Sequence, residues 1–207
     1  LIDSKNEEIR IQTIKLMGSF LSRSTAKRKQ DVMGPNNLFM LLCEKLLQFT
    51  PLSIDTYNAL FEILVETSIE TVRSNDPNTF LNLKIENPMI LKVLASLIND
   101  GKKIAPQIDP KSTVSFRFTG LSSANDRHDR ARIKKLFIND LWRLLVNNRE
   151  NRRLVLQMSV WQHWLINLIE DRNDQIVCHQ ILAIFRILLY HAIKYEYGGW
   201  RVWIDTL

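Results

Sequence analysis

Cys178 and His179 are neighbours in the sequence, and these residue types could supply a nucleophile and its base. Consecutive residues of a helix point about 100° apart, so the two side chains diverge and cannot act together. The other histidines are His128, His163 and His191, and no two histidines have the spacing of a helical zinc site. The sequence also lacks a Cys-x-x-Cys pair and a glycine-rich phosphate loop. We therefore expect no catalytic residue, no metal ligand and no cofactor, and we expect that the chain is not an enzyme.

Positive charge is concentrated in one stretch of the sequence. Residues 101–135 contain nine Lys and Arg against three Asp, which accounts for the formal net charge of +6 of the 207-residue chain. Such local charge attracts phosphate groups, acidic lipid or acidic protein. The alternative is a solvated loop whose charges keep the chain soluble. The candidate partner-binding cations are Arg127, Arg130, Arg132, Lys134 and Lys135.

The five tryptophans lie in the last third of the chain, at Trp142, Trp161, Trp164, Trp200 and Trp203. The first two share the helical phase of their apolar neighbours, and we expect them to wedge between helices in the core. Trp164 lies nearer the edge of the same face as Trp161, and is a candidate for contact with a partner. The last two tryptophans flank Arg201 after a Gly-Gly turn. These three residues either belong to the core or form an aromatic patch that binds a partner or the next repeat.

Helices must position these side chains, because apolar residues recur every three or four positions along most of the sequence. The expected helices cover residues 4–21, 35–49, 53–72, 88–98, 129–147, 151–169 and 174–194. In the first of them, a capping box of Ser4 and Glu7 opens the helix. Its expected buried stripe comprises Ile9, Thr13, Leu16, Met17, Phe20 and Leu21.

The stretch 101–127 differs from the rest, since it has two prolines, scattered Ser and Thr, and no sustained apolar period. We expect a long, mobile, basic insertion loop, with residues 113–119 able to pair briefly as a strand. The remainder forms a single helical domain over residues 1–207.

Three stretches resemble one another, at residues 34–47, 87–98 and 159–169. Each has a turn or cap followed by a dense apolar helix, and the first two lie about fifty residues apart, near the period of armadillo and HEAT repeats. The sequence therefore predicts an all-α fold of armadillo/HEAT-like helical repeats, an α-solenoid. Helix pairs of an ordinary bundle would give a similar pattern.

The sequence shows no secretion signal, and its densest apolar stretch, residues 181–190, is interrupted by Arg186 and is shorter than the roughly 18 residues that span a bilayer. Cys43 and Cys178 lie in separate apolar helices, which indicates buried thiols in a reducing compartment. The chain begins at Leu1, so we expect a piece of a larger protein. These features predict a cytoplasmic location.

The last third of the sequence resembles one known family. The matching stretches are residues 148–153 (NRENRR), 159–164 (SVWQHW) and 185–207 (FRILLYHAIKYEYGGWRVWIDTL). They are similar to the neurobeachin family of large BEACH-domain proteins, which includes neurobeachin and the LPS-responsive beige-like anchor protein. The similarity extends more loosely to Leu1, and it is weakest over the insertion at 101–127. The matching region of those proteins lies upstream of their PH–BEACH module.

The resemblance implies a non-catalytic scaffold module of a protein that acts in vesicle trafficking and receptor sorting. It implies a cytosolic location, peripheral membrane association of the full-length protein, and unidentified protein partners that include neighbouring domains of the same chain. Some members also anchor protein kinase A through an amphipathic helix. The stripe within residues 55–72 would suit that role, but is more simply core. The alternative function is a basic surface that binds acidic lipid headgroups or nucleic acid, of which nucleic acid is the less favoured.

Overall fold

The computed structural model describes residues 1–24, 38–49, 52–74, 78–99, 124–158, 160–169 and 174–195, with Leu81 and residues 124–127 described by their backbone. Within these ranges every regular element is a helix, which confirms the predicted all-α class. The helices are α1 (Glu7–Ser22), α2 (Leu38–Leu46), α3 (Ile54–Val65), α4 (Ile69–Val72), α5 (Thr79–Asn82), α6 (Met89–Ile98), α7 (Ala124–Val146), α8 (Arg149–Gln157), α9 (Trp161–Ile166) and α10 (Gln175–Tyr195). A 3₁₀ turn, Leu47–Phe49, extends α2.

Polar caps fix where several helices begin. The side chain of Ser53 accepts a hydrogen bond from the backbone N–H of Thr56 at the start of α3. Asn148 caps α8 in the same way. In α1 the cap is Asn6, not the predicted Ser4, so the helix begins about three residues later than expected.

The helices stack in the order of the chain. α1 packs on α3, α3 on α6, α6 on α7, and α7 on α10. α2 and α9 also pack on α6, and α8 lies against α7 and α10. Each layer therefore buries its apolar side chains against its neighbours, and one continuous core runs through the stack.

The buried face of α1 differs from the predicted one. Ile11, Ile14 and Leu21 are buried, whereas Leu16 and Phe20, expected in the core, are exposed. The helix carries apolar residues on two faces. Helical periodicity alone therefore predicted the wrong face of α1 to be buried.

Gly18 explains which face of α1 approaches α3. A Cβ atom built on Gly18 would lie 2.9 Å from Cγ1 of Ile63, which is buried in the core. A glycine at this position therefore lets the two helices approach closely.

We expect Gly18→Ala to destabilise the chain by about 1–3 kcal/mol, because the added methyl group overpacks the contact by more than the roughly 1 kcal/mol that alanine gains in helix propensity. Denaturant unfolding measures this difference. In an Ile63→Ala background the same change should become stabilising. Stabilisation by Gly18→Ala in the unmodified chain would contradict the close approach.

Two predicted helices are interrupted. Residues 53–72 were expected to form one helix, but Glu66 takes a left-handed conformation with φ of 49°, and α3 ends at Val65. Residues 151–169 were likewise expected to be continuous, but Val160 has φ of 55°, which separates α8 from α9. Neither position is Gly or Pro, so the usual signal of an interruption is missing.

The predicted insertion can be compared with the structure only at its end. Residues 124–127 form the first turn of α7, so the predicted boundary at residue 127 is wrong. Residues 101–123, including the predicted strand at 113–119, lie outside the described residues.

Candidate interaction surface on helix α7

One side of α7 brings cations and an aromatic ring into line. His128, Arg132, Lys135, Asn139 and Trp142 follow one another at spacings of four, three, four and three residues, which places them on one helical face. All of them except the half-buried Asn139 are exposed, and Trp142 exposes 37% of its surface. We refer to these five residues as the α7 outer face.

The opposite side of α7 fixes this helix in the stack. Its buried apolar residues are Ile133, Phe137, Ile138, Leu141, Leu144 and Leu145. Next to Trp142, the guanidinium of Arg143 lies 3.7 Å from the ring centroid of Phe80 in α5. These buried residues run from Ile133 to Leu145, so the outer face is presented by a helix that is packed on the core over its second half.

A buried carboxylate joins α7 to the first half of the chain. Asp140 is fully buried and accepts hydrogen bonds from the Tyr57 hydroxyl at 2.9 Å and from both terminal nitrogens of Arg73, at 2.8 and 2.6 Å. Burial and the adjacent Asp140 charge raise the pKa of Tyr57 well above its usual value. Burial alone would lower the pKa of Arg73, but the bond and the charge of Asp140 raise it. Tyr57 therefore stays protonated and Arg73 stays charged, which are the forms that donate hydrogen bonds to Asp140.

Buried asparagine side chains hold α8 against α7. The Asn151 amide donates to the carbonyls of Leu83 and Leu144 at 3.0 and 2.9 Å, and its oxygen accepts from the backbone N–H of Ile85 at 2.9 Å. Asn148 also donates to the carbonyl of Leu83. One side chain thus satisfies backbone groups of two separate segments, which fixes the turn between α7 and α8.

The structure divides the predicted basic patch. Arg132 and Lys135 lie on the α7 outer face, where Lys135 pairs with Asp174 at 3.4 Å. Arg130 is half-buried, and only 7% of Lys134 is exposed. The side chain of Arg127 lies outside the described residues. Lys134 is therefore corrected from a surface candidate to a buried residue, because its position faces away from Arg132 and Lys135 on the helix.

The tryptophans also differ from expectation. Trp164, a candidate for partner contact, exposes only 3% of its surface and packs on Phe137 with ring centroids 6.3 Å apart. This prediction is wrong, because α9 turns the indole into the core. Trp142, expected in the core, is exposed, since Leu141 occupies the buried position. The predicted partner-binding residues Trp200, Arg201 and Trp203 lie outside the described residues.

The histidines and cysteines form no recognisable reactive centre where the structure describes them. His163 and His179 are exposed, and no group of three metal-ligating side chains occurs among the described residues. Cys43 is buried, whereas Cys178 is only half-buried, and the two cysteines form no disulfide with each other. The prediction of two buried thiols therefore holds for Cys43 alone.

The stripe considered for kinase anchoring lies in the core. Within α3, Tyr57, Leu60, Phe61 and Leu64 are buried. This apolar face packs between α1 and α6, so it is occupied within the stack.

Burial raises the pKa of the Cys43 thiol from 9.0 to about 11. A hydrogen bond with Ser96 lowers this pKa, but by less than burial raises it. The folded state thus holds its proton more tightly than the unfolded state. The contribution of the protonated Cys43 thiol to the free energy of unfolding is complete below about pH 9. As the pH rises toward 11, this contribution falls by about 2–3 kcal/mol. We expect the unfolding free energy to fall over this range, and less steeply between pH 9 and 10 in Cys43→Ala. An equal slope in both proteins would contradict the buried thiol.

One described helix, α10, is long and apolar enough to cross a membrane by length and composition. This differs from the expectation that the interruption at Arg186 excludes such a stretch. A core helix meets the same criteria, and the inner face of α10 packs on α7 and α8.

Comparisons with known proteins agree on one family. The profile of the Neurobeachin/BDCP, DUF4704 alpha solenoid region matches residues 1–114 and 109–207. Two proteins described as neurobeachin homologs, from Caenorhabditis briggsae and Caenorhabditis elegans, are 41% and 42% identical over 216 aligned residues, which cover 100% of this chain and 8% of each relative. Neurobeachin of Gallus gallus is 60% identical over 38 residues, or 18% of this chain and 5% of that protein. No solved structure matches the chain.

These matches confirm both the resemblance and the predicted α-solenoid. The chain spans about 8% of the length of the two nematode relatives. The chain belongs to the neurobeachin family and corresponds to the DUF4704 alpha solenoid region of that family.

Proposed function

We propose that this chain is a non-catalytic protein-interaction module of a large BEACH-type protein that acts in membrane and vesicle trafficking and in receptor sorting. Family membership and the small share of the relatives that it covers support this role. The α7 outer face carries the proposal, because it places two cations and a tryptophan on the surface of a rigidly held helix.

The mode of binding follows from these side chains. Trp142 offers a flat apolar surface with few rotamers to immobilise, and such residues often dominate the energy of an interface. Arg132 adds a charge that attracts an acidic segment and selects its orientation. Because Lys135 is already paired with Asp174, an acidic partner would compete for it. The partner that fits is a protein segment with an acidic residue beside an apolar one.

The test compares Trp142→Ala and Arg132→Glu with a matched charge reversal, Lys84→Glu, at an exposed lysine between α5 and α6. Proteins captured by the unmodified chain are identified by mass spectrometry, and the binding of each purified candidate is then measured by calorimetry. We expect both α7 variants to weaken binding by about tenfold or more, with Lys84→Glu unchanged. Unchanged binding in both α7 variants would exclude this face. Melting curves establish that each variant remains folded.

A second candidate function is a basic surface for acidic lipid headgroups or nucleic acid. The net charge of +6 and the exposure of Arg132 favour it. Binding to phosphatidylserine vesicles and to single-stranded RNA in a salt series separates this function from the first. Charge-driven binding weakens steeply as salt rises, whereas binding centred on Trp142 changes little.

A further inference from the structure

The first helix exposes a second apolar face. Ile9, Leu16 and Phe20 expose 40%, 69% and 56% of their surfaces, on the side of α1 that faces away from α3. Between α1 and α2 this face forms a groove of about 510 Å³, with walls that are almost entirely apolar. Leu41 exposes its side chain from α2 into the same groove, and Lys45 pairs with Asp3 at 3.1 Å.

The last described helix has an equivalent face. Ile176, Leu182, Tyr190 and Ile193 of α10 each expose 61–64% of their surfaces. The opposite side of this helix, which includes Ile181 and Leu188, is buried against its neighbours. Thus α10 carries large apolar residues on both sides, with His179 and Arg186 among those of the exposed side, although only one side has a partner among the described helices.

These two faces lie at opposite ends of the packing order, since α1 packs mainly on α3, and α10 packs on α7 and α8. Helices that are apolar on both sides are typical of the interior of a stack. Units that end a solenoid instead carry a polar outer face, because water covers that face. Both α1 and α10 therefore have the pattern of internal helices.

We propose that both faces are inter-repeat surfaces, each covered by an amphipathic helix of a neighbouring repeat of the same polypeptide. This inference rests on the proposed function as a module of a larger protein. The relatives support the choice of occupant, because about nine-tenths of their length lies outside the match and the matching region is an alpha solenoid. The groove between α1 and α2 takes a ridge of side chains from such a helix, as in ridges-into-grooves packing.

The experiment measures thiol labelling at one position of each face, Leu16→Cys and Leu182→Cys. Gln157→Cys is the control, because it is an exposed polar position on α8, which carries neither face. Each substitution is made in the 207-residue chain and in the full-length protein, and maleimide labelling is followed by peptide mass spectrometry. We expect positions 16 and 182 to react at least about tenfold more slowly in the full-length protein, since a covered thiol reacts only on local opening. Position 157 should react equally in both.

Four results would overturn the inference. Equal rates at positions 16 and 182 in the two proteins would show that the faces remain open, and the proposed binding at α7 would be unaffected. Slow labelling in the 207-residue chain that speeds up on dilution would show that a second copy covers the faces. Slow labelling there at every concentration would show that the chain covers them with its own residues. Equal slowing at position 157 also contradicts it, because the protection would not be particular to these faces.

Discussion

Trp161→Ala is expected to lower the free energy of unfolding by about 3–5 kcal/mol. The indole is almost fully buried, and its ring lies 5.4 Å from that of Phe185 in α10, centroid to centroid. It therefore fills the contact between α9 and α10, as the sequence predicts. Truncation removes this apolar area and leaves a cavity that packed helices close only in part. Denaturant unfolding of both proteins measures the loss.

Trp164→Ala should have a comparable effect, although the sequence analysis places Trp164 nearer the edge of the buried face than Trp161. Its indole is buried against Phe137, but no described residue accepts a hydrogen bond from its Nε1. Trp164→Phe should be much milder than Trp164→Ala, because phenylalanine keeps an aromatic ring in the site and leaves a smaller cavity. Removal of the unsatisfied N–H also offsets part of its loss. The exposed Trp142 provides the control, and Trp142→Ala should change stability by less than about 1 kcal/mol. A severe effect at Trp142 with a neutral one at Trp161 would reverse the assignment of core and surface.

The starts of some helices follow from local signals, whereas their interruptions at Glu66 and Val160 and the faces that they bury do not. A cap such as Ser53 acts within one turn, so its effect is readable from the sequence. In α1, by contrast, apolar residues occur on both sides, and the buried side is selected by the close approach of Gly18 to Ile63. That contact joins residues 45 positions apart in sequence, and helical periodicity carries no information about it.

For a similar reason, the sequence predicts only part of the candidate surface. The basic residues were grouped by their nearness in sequence, although positions two apart on a helix point in nearly opposite directions. Arg132 and Lys135 therefore share a face that Lys134 does not. The spacing that aligns Arg132 with Trp142 is visible in the sequence. It indicates a shared surface only once Trp142 is known to be exposed.

Asp140→Ala should destabilise the chain by about 3 kcal/mol, because it removes the acceptor of two buried or half-buried donors. The Tyr57 hydroxyl, fully buried, would lose its partner at 2.9 Å. Arg73 would lose two charge-assisted bonds, but 30% of its side chain is exposed and water can compensate in part. We therefore place the effect at the lower end of the range for broken buried ion pairs, and thermal or denaturant unfolding measures it.

A double-mutant cycle shows whether the loss arises from this cluster. Tyr57→Phe alone should be mildly destabilising, because it removes one hydrogen bond and leaves Asp140 bonded to Arg73. In the Asp140→Ala background the same change should be neutral or stabilising, since the hydroxyl that it removes no longer has an acceptor. Independent, additive effects of the two substitutions would mean that the hydroxyl and the carboxylate do not interact. The bond would then be excluded as a tie between α3 and α7, and the support of the α7 outer face would come from the buried apolar side of the helix alone.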